Sequence, residues 1–360
     1  MVNFEALTKY IYEVMNMATI TVVGSGMMGS AIIFPAADNG NTIRIVGTPL
    51  DREIIEHARQ TGEHLTLRRR MPEGITYYQF EELDAALEGA DLMVSGVSSF
   101  GVDWFMSEVL GRIPRELPVL SVTKGMLNSG DGELISYPEL YREASGRENL
   151  MAVGGPCTSY ELADHDFTEV TFCGWDMELL RGTRALFERP YYHVSLSTDV
   201  RGVECAVAMK NAYALGVSLA IGMSYAREGR EKEHYNSQAA LFGQAVREMT
   251  RLLRACGGDE SNLALGAGDL YVTVFGGRTR RIGILLGEGM DFDAAMKELS
   301  GVTLESIVIS ARTAAAMRQR IAAGTADARD YPLLMHIDEL ISGRATVNVP
   351  WDSFEYEFTR

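Results

Sequence analysis

Ile20-Thr21-Val22-Val23-Gly24-Ser25-Gly26-Met27-Met28-Gly29-Ser30 decides how this chain is read. A short β-branched run enters Gly-x-Gly-x-x-Gly, and an apolar, helix-compatible stretch, Ala31 to Ala37, follows. Strand, tight turn and helix in that order make a dinucleotide site. Gly24 allows the turn's backbone, Gly26 leaves room for a pyrophosphate, and Gly29 lets the helix pack close to the strand. From Gly24 through Ser25, Gly26, Met27 and Met28 to Gly29, the turn and helix start offer free N–H groups and a positive dipole end to phosphates.

Outward from the turn, Asn39-Gly40-Asn41 stops the helix, and Thr42 to Val46 is a second strand. Dinucleotide enzymes test the adenosine ribose at the end of that strand, where an acid selects NAD. Here the residues are Gly47-Thr48-Pro49-Leu50-Asp51-Arg52. No acid directly ends the strand. Thr48 and Arg52 are placed to face a 2′-phosphate, Asp51 to cap the helix Arg52 to Arg59, and NADP is favoured over NAD. Arg68-Arg69-Arg70 reads as a solvated or interface loop more than as a phosphate grip.

Further strands are expected at Thr76 to Tyr78, Asp91 to Ser98, Pro118 to Met126, Leu150 to Pro156 and Val170 to Cys173. Helices fall between them, at Phe80 to Gly89 and Trp104 to Ile113. Alternation of this kind means an α/β domain, a Rossmann-like doubly wound parallel sheet. The texture changes near Val194 to Asp199. Beyond it the periodicity is helical: Val203 to Tyr225, Gln238 to Ala255 with a stop at Cys256-Gly257-Gly258, Asp293 to Leu299, Thr303 to Ala323 and Leu333 to Ile341. The expected domains are a short amphipathic helical extension over 1–17, a dinucleotide-binding domain over 18–195 and an all-helical substrate domain over 196–360. The cleft between the last two is the expected active site.

The 360 residues suffice for two domains, and the formal net charge of −16 argues against nucleic acid or an anionic membrane as partner. Four widely spaced cysteines, Cys157, Cys173, Cys205 and Cys256, fit reduced thiols in a cytoplasm and form no zinc pattern. No apolar run reaches the ~18–20 residues of a membrane span. The N-terminal segment lacks the basic and long apolar regions of a secretory signal.

Five polar features stand out. Lys124 sits at a strand tip in Thr-Lys-Gly-Met, and Lys210-Asn211 interrupts the apolar helix Ala206 to Ala214. Asn236 precedes the next long helix, Asp269 lies in Gly266-Ala267-Gly268-Asp269-Leu270 with Thr273 a turn later, and Gly276-Gly277-Arg278-Thr279-Arg280-Arg281 follows. Singly, each has a bland reading: a loop lysine, a snorkelling lysine, an N-cap in a glycine loop, a solvated turn. Together they describe an anion site with a poised base. A lysine in an apolar helix has its charged form disfavoured, which brings it toward acid/base work. A nearby carboxylate opposes that fall and aims the amine. Arg278 supplies a bidentate grip on phosphate.

Taken in order, these residues resemble the NAD(P)-dependent glycerol-3-phosphate dehydrogenases, from about Ala18 to about residue 345. The matching elements are the Gly24-x-Gly26-x-x-Gly29 turn, Lys124-Gly125, Gly155-Pro156 with Glu161-Leu162-Ala163, Ala208-Met209-Lys210-Asn211, Asn236 before Ala239-Ala240-Leu241, Gly268-Asp269-Leu270 with Thr273, and Gly277-Arg278. Asp38-Asn39-Gly40-Asn41 with Gly47-Thr48 is similar to archaeal members. The resemblance implies reduction of dihydroxyacetone phosphate by NAD(P)H to sn-glycerol 3-phosphate. It implies Lys210 as general acid/base, Asp269 as its orienting group and Lys124 as polariser of the carbonyl. It implies Asn211, Thr273 and Arg278 on the glycerol and phosphate, with Arg278 also near the cofactor, and no metal.

The family usually reads Gly-Arg-Asn where this chain has Gly277-Arg278-Thr279; Thr279 keeps a donor at the phosphate end but shortens its reach. The charged Tyr225 to Tyr235 segment also departs. A small phosphorylated substrate, a homodimer and no membrane span are expected. Another phosphorylated ketose or polyol, a β-hydroxyacid dehydrogenase and a non-catalytic NAD(P) sensor are the competing readings; the last predicts loss of Lys210 or Asp269, and both are present.

Overall fold

In the computed structural model, residues 17–230, 232–302 and 304–354 are described. The expected N-terminal helix therefore lies outside the described residues, apart from Met17. The chain forms two compact units, Met1–Lys124 with Pro138–Val200, and Gly125–Tyr137 with Arg201–Arg360. The division after Val200 lies five residues past the expected boundary, and a short internal segment, 125–137, goes with the second unit.

The first unit is built on eight strands: β1 (Thr19–Val23), β2 (Thr42–Val46), β3 (Thr76–Tyr78), β4 (Leu92–Ser95), β5 (Val119–Ser121), β8 (Leu150–Gly154), β9 (Thr168–Gly174) and β10 (Tyr192–Ser197). Their order across the sheet is β10-β9-β8-β5-β4-β1-β2-β3. All neighbours are parallel except β8 and β9. Parallel strands covered on both faces need continuous apolar runs, and β1 supplies Ile20, Val22 and Val23, all fully buried. Val22 sits between Ile45 of β2 and Val94 of β4 in register. The strand order reverses at β1, which is where ligands bind in open sheets of this kind.

Helix α1 follows the glycine turn as two segments, Met27–Ala31 and Ile33–Asp38, broken at Ile32. Pro35 has no N–H for the Ala31 carbonyl, which accounts for the break. The Asn41 amide then ties the helix end to Ala36 O (2.8 Å) and to Leu186 O (2.9 Å). Helix α2 spans Arg52–Thr61 and ends on Gly62 at φ +71°. Helix α3 spans Met177–Phe187 and is capped by the Asp176 carboxylate on the N–H groups of Glu178 and Leu179.

Several expected elements are shorter than their apolar runs. The region 118–126 yields only the three residues of β5. Met126 instead opens a hairpin, β6 (Met126–Asn128) with β7 (Leu134–Ser136), in the second unit. Phe80–Glu82 is a tight turn before the helix Leu83–Leu87, and Trp104 to Ile113 holds wide and tight helical turns in place of one α-helix. Strand β10 (Tyr192–Ser197) overlaps the stretch Val194 to Asp199 read only as a change of texture.

The second unit is helical apart from that hairpin. Helix α4 (Val200–Glu228) is its axis, surrounded by α5 (Tyr235–Cys256), α6 (Leu263–Gly276), α7 (Thr279–Gly287), α8 (Phe292–Glu298), α9 (Glu305–Ala322) and α10 (Pro332–Ile341). The hairpin is held to α9, where Gln319 donates to Gly130 O (3.0 Å) and Arg320 to Gly132 O (2.7 Å). At 29 residues, α4 is long and apolar enough to cross a membrane by length and composition, but Glu204 and Lys210-Asn211 interrupt its apolar run and 89% of its most apolar window is buried inside the protein. Helices apolar all round are core helices when other elements cover them.

The neighbours of α4 approach through glycines. A Cβ at Gly266 would lie 2.8 Å from Ala206 O, one at Gly283 2.6 Å from Leu215 O, and one at Gly287 2.3 Å from Leu219 O. Gly222 on α4 returns the contact, with Ile284 O 2.1 Å from its Cβ position. Backbone therefore packs on backbone along both seams.

Deeper in this unit Glu248 of α5 is fully buried. Its carboxylate accepts from Leu333 N–H (2.8 Å) and Leu334 N–H (2.9 Å) at the start of α10, from Tyr213 Oη–H (3.0 Å) and from Gln244 Nε2–H (2.7 Å). It thus satisfies orphan donors of a helix N-terminus.

Candidate active site

The first unit carries a candidate site made of strand ends. Gly24 has φ +104°, a conformation open mainly to glycine, and its Cβ would lie 2.8 Å from the Gly96 carbonyl carbon at the end of β4. A Cβ at Gly29 would fall 2.4 Å from Gly24 O and 3.0 Å from Gly96 Cα. Gly24, Gly29 and Gly96 thus pack backbone to backbone, and this lets α1 begin directly over β1. Gly96, near the end of the expected strand Asp91 to Ser98, belongs to the constellation. A Cβ at Gly26 would meet nothing nearer than Gly96 O at 3.8 Å. Its backbone is bare for another reason: the space beside it is open. Gly26 also stands at the N-cap position with no side-chain cap on Met27 or Met28, so the helix N–H groups keep their donors for an anion. This cradle fits a dinucleotide pyrophosphate.

The neighbouring strand end departs from expectation. Asp51 makes no side-chain cap on α2. Its Oδ2 turns back and accepts from Thr48 N–H (2.9 Å), Thr48 Oγ1–H (2.8 Å) and Ser25 N–H (3.2 Å). The Thr48 hydroxyl proton is therefore given to Asp51, not offered outward. Arg52 is exposed and paired with Glu81 at 2.5 Å across solvent. In the arginine run, Arg69 donates from Nε and Nη2 to both oxygens of Asp164 (2.5 and 2.7 Å), an ion pair at the surface as the bland reading expects.

Along the same carboxyl edge, the Thr123 hydroxyl donates to Val97 O (2.7 Å) and Lys124 Nζ donates to Gly155 O (2.7 Å). The lysine amine is thus tethered across the ends of β5 and β8, with Gly155 at φ +123° turning its carbonyl toward it.

The second unit carries its own cluster of functional side chains. Lys210 on α4 and Asp269 on α6 form an ion pair, Nζ to Oδ1, with side-chain exposures of 14% and 1%. Asp269 is not an N-cap in a glycine loop. Gly266 to Gly268 lie inside the continuous helix Leu263–Gly276, where Gly266 serves the close approach to Ala206. That contact sits one turn before Lys210 on α4 and about one turn before Asp269 on α6, so it fixes the register of the pair. The Thr273 hydroxyl donates to Asp269 O (2.7 Å), which commits its proton and leaves its oxygen to accept. Asn211 is half-buried beside Lys210. Asn236 lies inside α5, one residue after its start, not ahead of it.

Arg278 is exposed at the N-cap of α7, and no carboxylate pairs with it among the described residues. Thr279 is buried as the first residue of that helix. Arg280 is occupied instead: Glu233 Oε1 accepts from it (3.0 Å) and from the Tyr225 hydroxyl (2.6 Å). The charged segment after α4 thus engages one arginine of the block and leaves Arg278 open. Chemically, the second unit offers a proton on a held amine and a cation beside a helix start.

Comparison with known proteins gives a consistent result. Residues 19–179 match the N-terminal part of the family described as NAD-dependent glycerol-3-phosphate dehydrogenase, and residues 199–351 match its C-terminal part. The chain is 34% identical over 285 residues to an NADP(+)-dependent glycerol-3-phosphate dehydrogenase of Archaeoglobus fulgidus, covering 78% of this chain and 83% of that one. It is 28% identical over 299 residues to a glycerol-3-phosphate dehydrogenase of the NAD(P)+ type from Koribacter versatilis, covering 81% and 85%. Among solved structures, glycerol-3-phosphate dehydrogenase of Plasmodium falciparum superposes with a TM-score of 0.80 at 16% identity, over 98% of this chain and 99% of that one. The Coxiella burnetii glycerol-3-phosphate dehydrogenase gives 0.76 at 21%, over 94% and 98%. At these identities the two structures speak for the fold.

Proposed function

The chain belongs to the NAD-dependent glycerol-3-phosphate dehydrogenase family, and from that premise we propose how its residues divide the family's reaction, NAD(P)H-dependent reduction of dihydroxyacetone phosphate to sn-glycerol 3-phosphate. The observation that carries the assignment is the pairing of half-buried Lys210 with buried Asp269. Lys210 is the general acid that gives its proton to the substrate carbonyl oxygen as that oxygen becomes an alkoxide, and in reverse its amine takes the proton back. Asp269, fully enclosed, cannot follow the substrate; it aims the amine.

Arg278 grips the phosphate in two parallel hydrogen bonds. Thr279 adds a hydroxyl at the same helix start, and Asn211 and Thr273 hold the glycerol oxygens, Thr273 as acceptor. Lys124, at the sheet edge, takes the role of electrophile toward the carbonyl oxygen. The dinucleotide, when bound, supplies the hydride. Gly24, Ser25, Gly26, Met27, Met28 and Gly29 hold its pyrophosphate, with Arg278 near its nicotinamide end.

NADP is the favoured cofactor in this reading. Its support is Arg52, whose partner Glu81 is an exposed surface acid, and the 34% identical relative named NADP(+)-dependent. A homodimer in a reducing cytoplasm completes the proposal. The exposed ring pair Tyr271 and Phe275 on α6 supports the first, and four cysteines without a disulfide support the second.

The test is oxidation of NADPH and NADH, followed separately by absorbance, with dihydroxyacetone phosphate as substrate. Rapid oxidation is expected, faster at low concentration with NADPH. Thr279, in place of the usual asparagine, favours a second reading in which a four- or five-carbon phosphorylated ketose is preferred. A higher kcat/KM for such a ketose in the same assay would establish it.

A further inference from the structure

The turn between β1 and α1 is held by two residues that no motif includes. The main chain of Ser25 is held through both of its polar groups. Its N–H donates to Asp51 Oδ2 (3.2 Å), and its carbonyl lies 2.8 Å from His64 Nε2. His64 is buried, at 2% exposure, and burial pushes its pKa below the ordinary value. Its Nδ1 accepts from Leu67 N–H (3.0 Å), so the ring hydrogen resides on Nε2 and is donated to Ser25.

This bond changes what the helix start can do. A Ser25 carbonyl free to turn along the helix axis would be an acceptor for the N–H of Gly29. Here His64 takes it, and the first helical bond runs from Ser30 N–H to Gly26 O (2.9 Å). Gly24 N–H is spent on Val46 O (2.9 Å) and Ser25 N–H on Asp51, so the donors left to an anion are those from Gly26 to Gly29. Asp51 meanwhile has its Oδ2 covered by three donors, which keeps a half-buried carboxylate turned toward the protein and away from the phosphate cradle.

The arginine run that the function did not absorb builds the loop presenting His64. His64 N–H donates to Arg69 O (3.0 Å), Arg68 N–H to His64 O (2.8 Å) and Met71 N–H to Gly62 O (2.8 Å). Arg68 takes φ +53° to close that turn, and the Arg69 guanidinium anchors it on Asp164.

We propose that His64 and Asp51 are positioning residues for the dinucleotide: they clamp the two peptide groups flanking the Ser25 Cα and preset the N–H groups that follow, Gly26 to Gly29, for the pyrophosphate. The proposal rests on the reading of this turn as the cofactor site. Preorganised donors bind more tightly because less ordering is left to binding.

The experiment compares wild type with His64→Leu, His64→Asn and His64→Gln. Equilibrium NADPH binding is followed by nicotinamide fluorescence without substrate, and amide hydrogen exchange over residues 24–28 is read without cofactor. His64→Leu removes the donor, and His64→Asn is too short to reach Ser25. Both should weaken NADPH binding about five- to tenfold and speed exchange of the turn. The kcat at saturating NADPH should stay within about twofold, since the clamp acts on binding. His64→Gln carries an amide N–H of suitable reach and should recover most of the affinity. If His64→Leu does not fold, the Asn and Gln variants decide. Equal NADPH affinity in Asn, Gln and wild type, or unchanged exchange at 24–28, overturns the clamp. A wild-type protein that binds neither NADPH nor NADH overturns the cofactor reading instead, and the exchange data still judge the clamp.

Discussion

The two units carry candidate functional surfaces made from different material. At the sheet edge the working surface is backbone: peptide N–H groups bared by Gly24, Gly26 and Gly29, with Gly96 packed beneath. In the helical unit it is side chain: an amine on α4, a carboxylate on α6 and a guanidinium at the start of α7. A backbone site is damaged by adding atoms and a side-chain site by removing them. In the proposed reading the first binds an invariant pyrophosphate and has little to distinguish, whereas the second moves a proton and chooses a substrate, chemistry that only side chains offer.

The sharpest break in this comparison is expected at Lys210. Lys210→Ala should lower kcat by on the order of 10²- to 10⁴-fold while NADPH binding, followed by fluorescence, stays near wild type. Turnover within tenfold of wild type would remove Lys210 from the acid/base role.

The next effect concerns a carboxyl that does no catalysis. Burial pushes Glu248 up to about 7 from 4.5 despite its four hydrogen bonds. A native pKa above the unfolded one means that the folded state holds this proton more tightly. The contribution is complete below pH 4.5 and is lost as pH rises through about 7. Thermal midpoints of wild type and Glu248→Gln should therefore diverge with pH. The wild type should lose stability relative to the variant by on the order of 3 kcal/mol between pH 4.5 and 7.5. Parallel curves would show that the carboxylate is ionised throughout.

Arg278→Ala removes a charge-assisted contact of about 1.5–3 kcal/mol. It should appear as a raised KM for dihydroxyacetone phosphate; a loss confined to kcat would show Arg278 to be misassigned.

The backbone half is tested by additions. Gly29→Ala puts a methyl 2.4 Å from a fixed carbonyl oxygen and should destabilise the protein by about 1–3 kcal/mol. Gly26→Ala places the same methyl in open space. The protein should fold and melt normally yet bind NADPH poorly. Normal binding in that variant would separate the turn from the cofactor.

The smallest effect is expected at Arg52. Arg52→Ala should weaken NADPH a few-fold and leave NADH unchanged, in keeping with an exposed charge worth up to about 1 kcal/mol. Equal effects on both would withdraw the NADP preference.

What the sequence disclosed follows the same division. The glycine turn, the strand runs at β1, β2 and β4, and a lysine interrupting an apolar helix are signals carried by consecutive residues. Others depend on partners far along the chain. Asp51 looks like a helix cap because the Ser25 N–H that competes for it lies 26 residues away. Gly266 and Gly268 read as a loop because glycine is a poor helix former in isolation; the close approach of α4 outweighs that preference. Met126 extends an apolar run that β5 leaves after Ser121, since the hairpin finds its partner on α9. His64 has no local signature at all.

The glycine seams along α4 have a consequence for how this enzyme can change. Where carbonyl oxygens occupy the space a methyl would need, no rotamer can absorb a substitution, and a shift at one point moves the whole helix together with Lys210. Lineages that alter their substrate should accumulate changes away from the seams, at Thr279 and in the segment from Tyr225 to Tyr235. The seams should stay silent in any library selected for new specificity, a bias that can be read directly by deep mutational scanning.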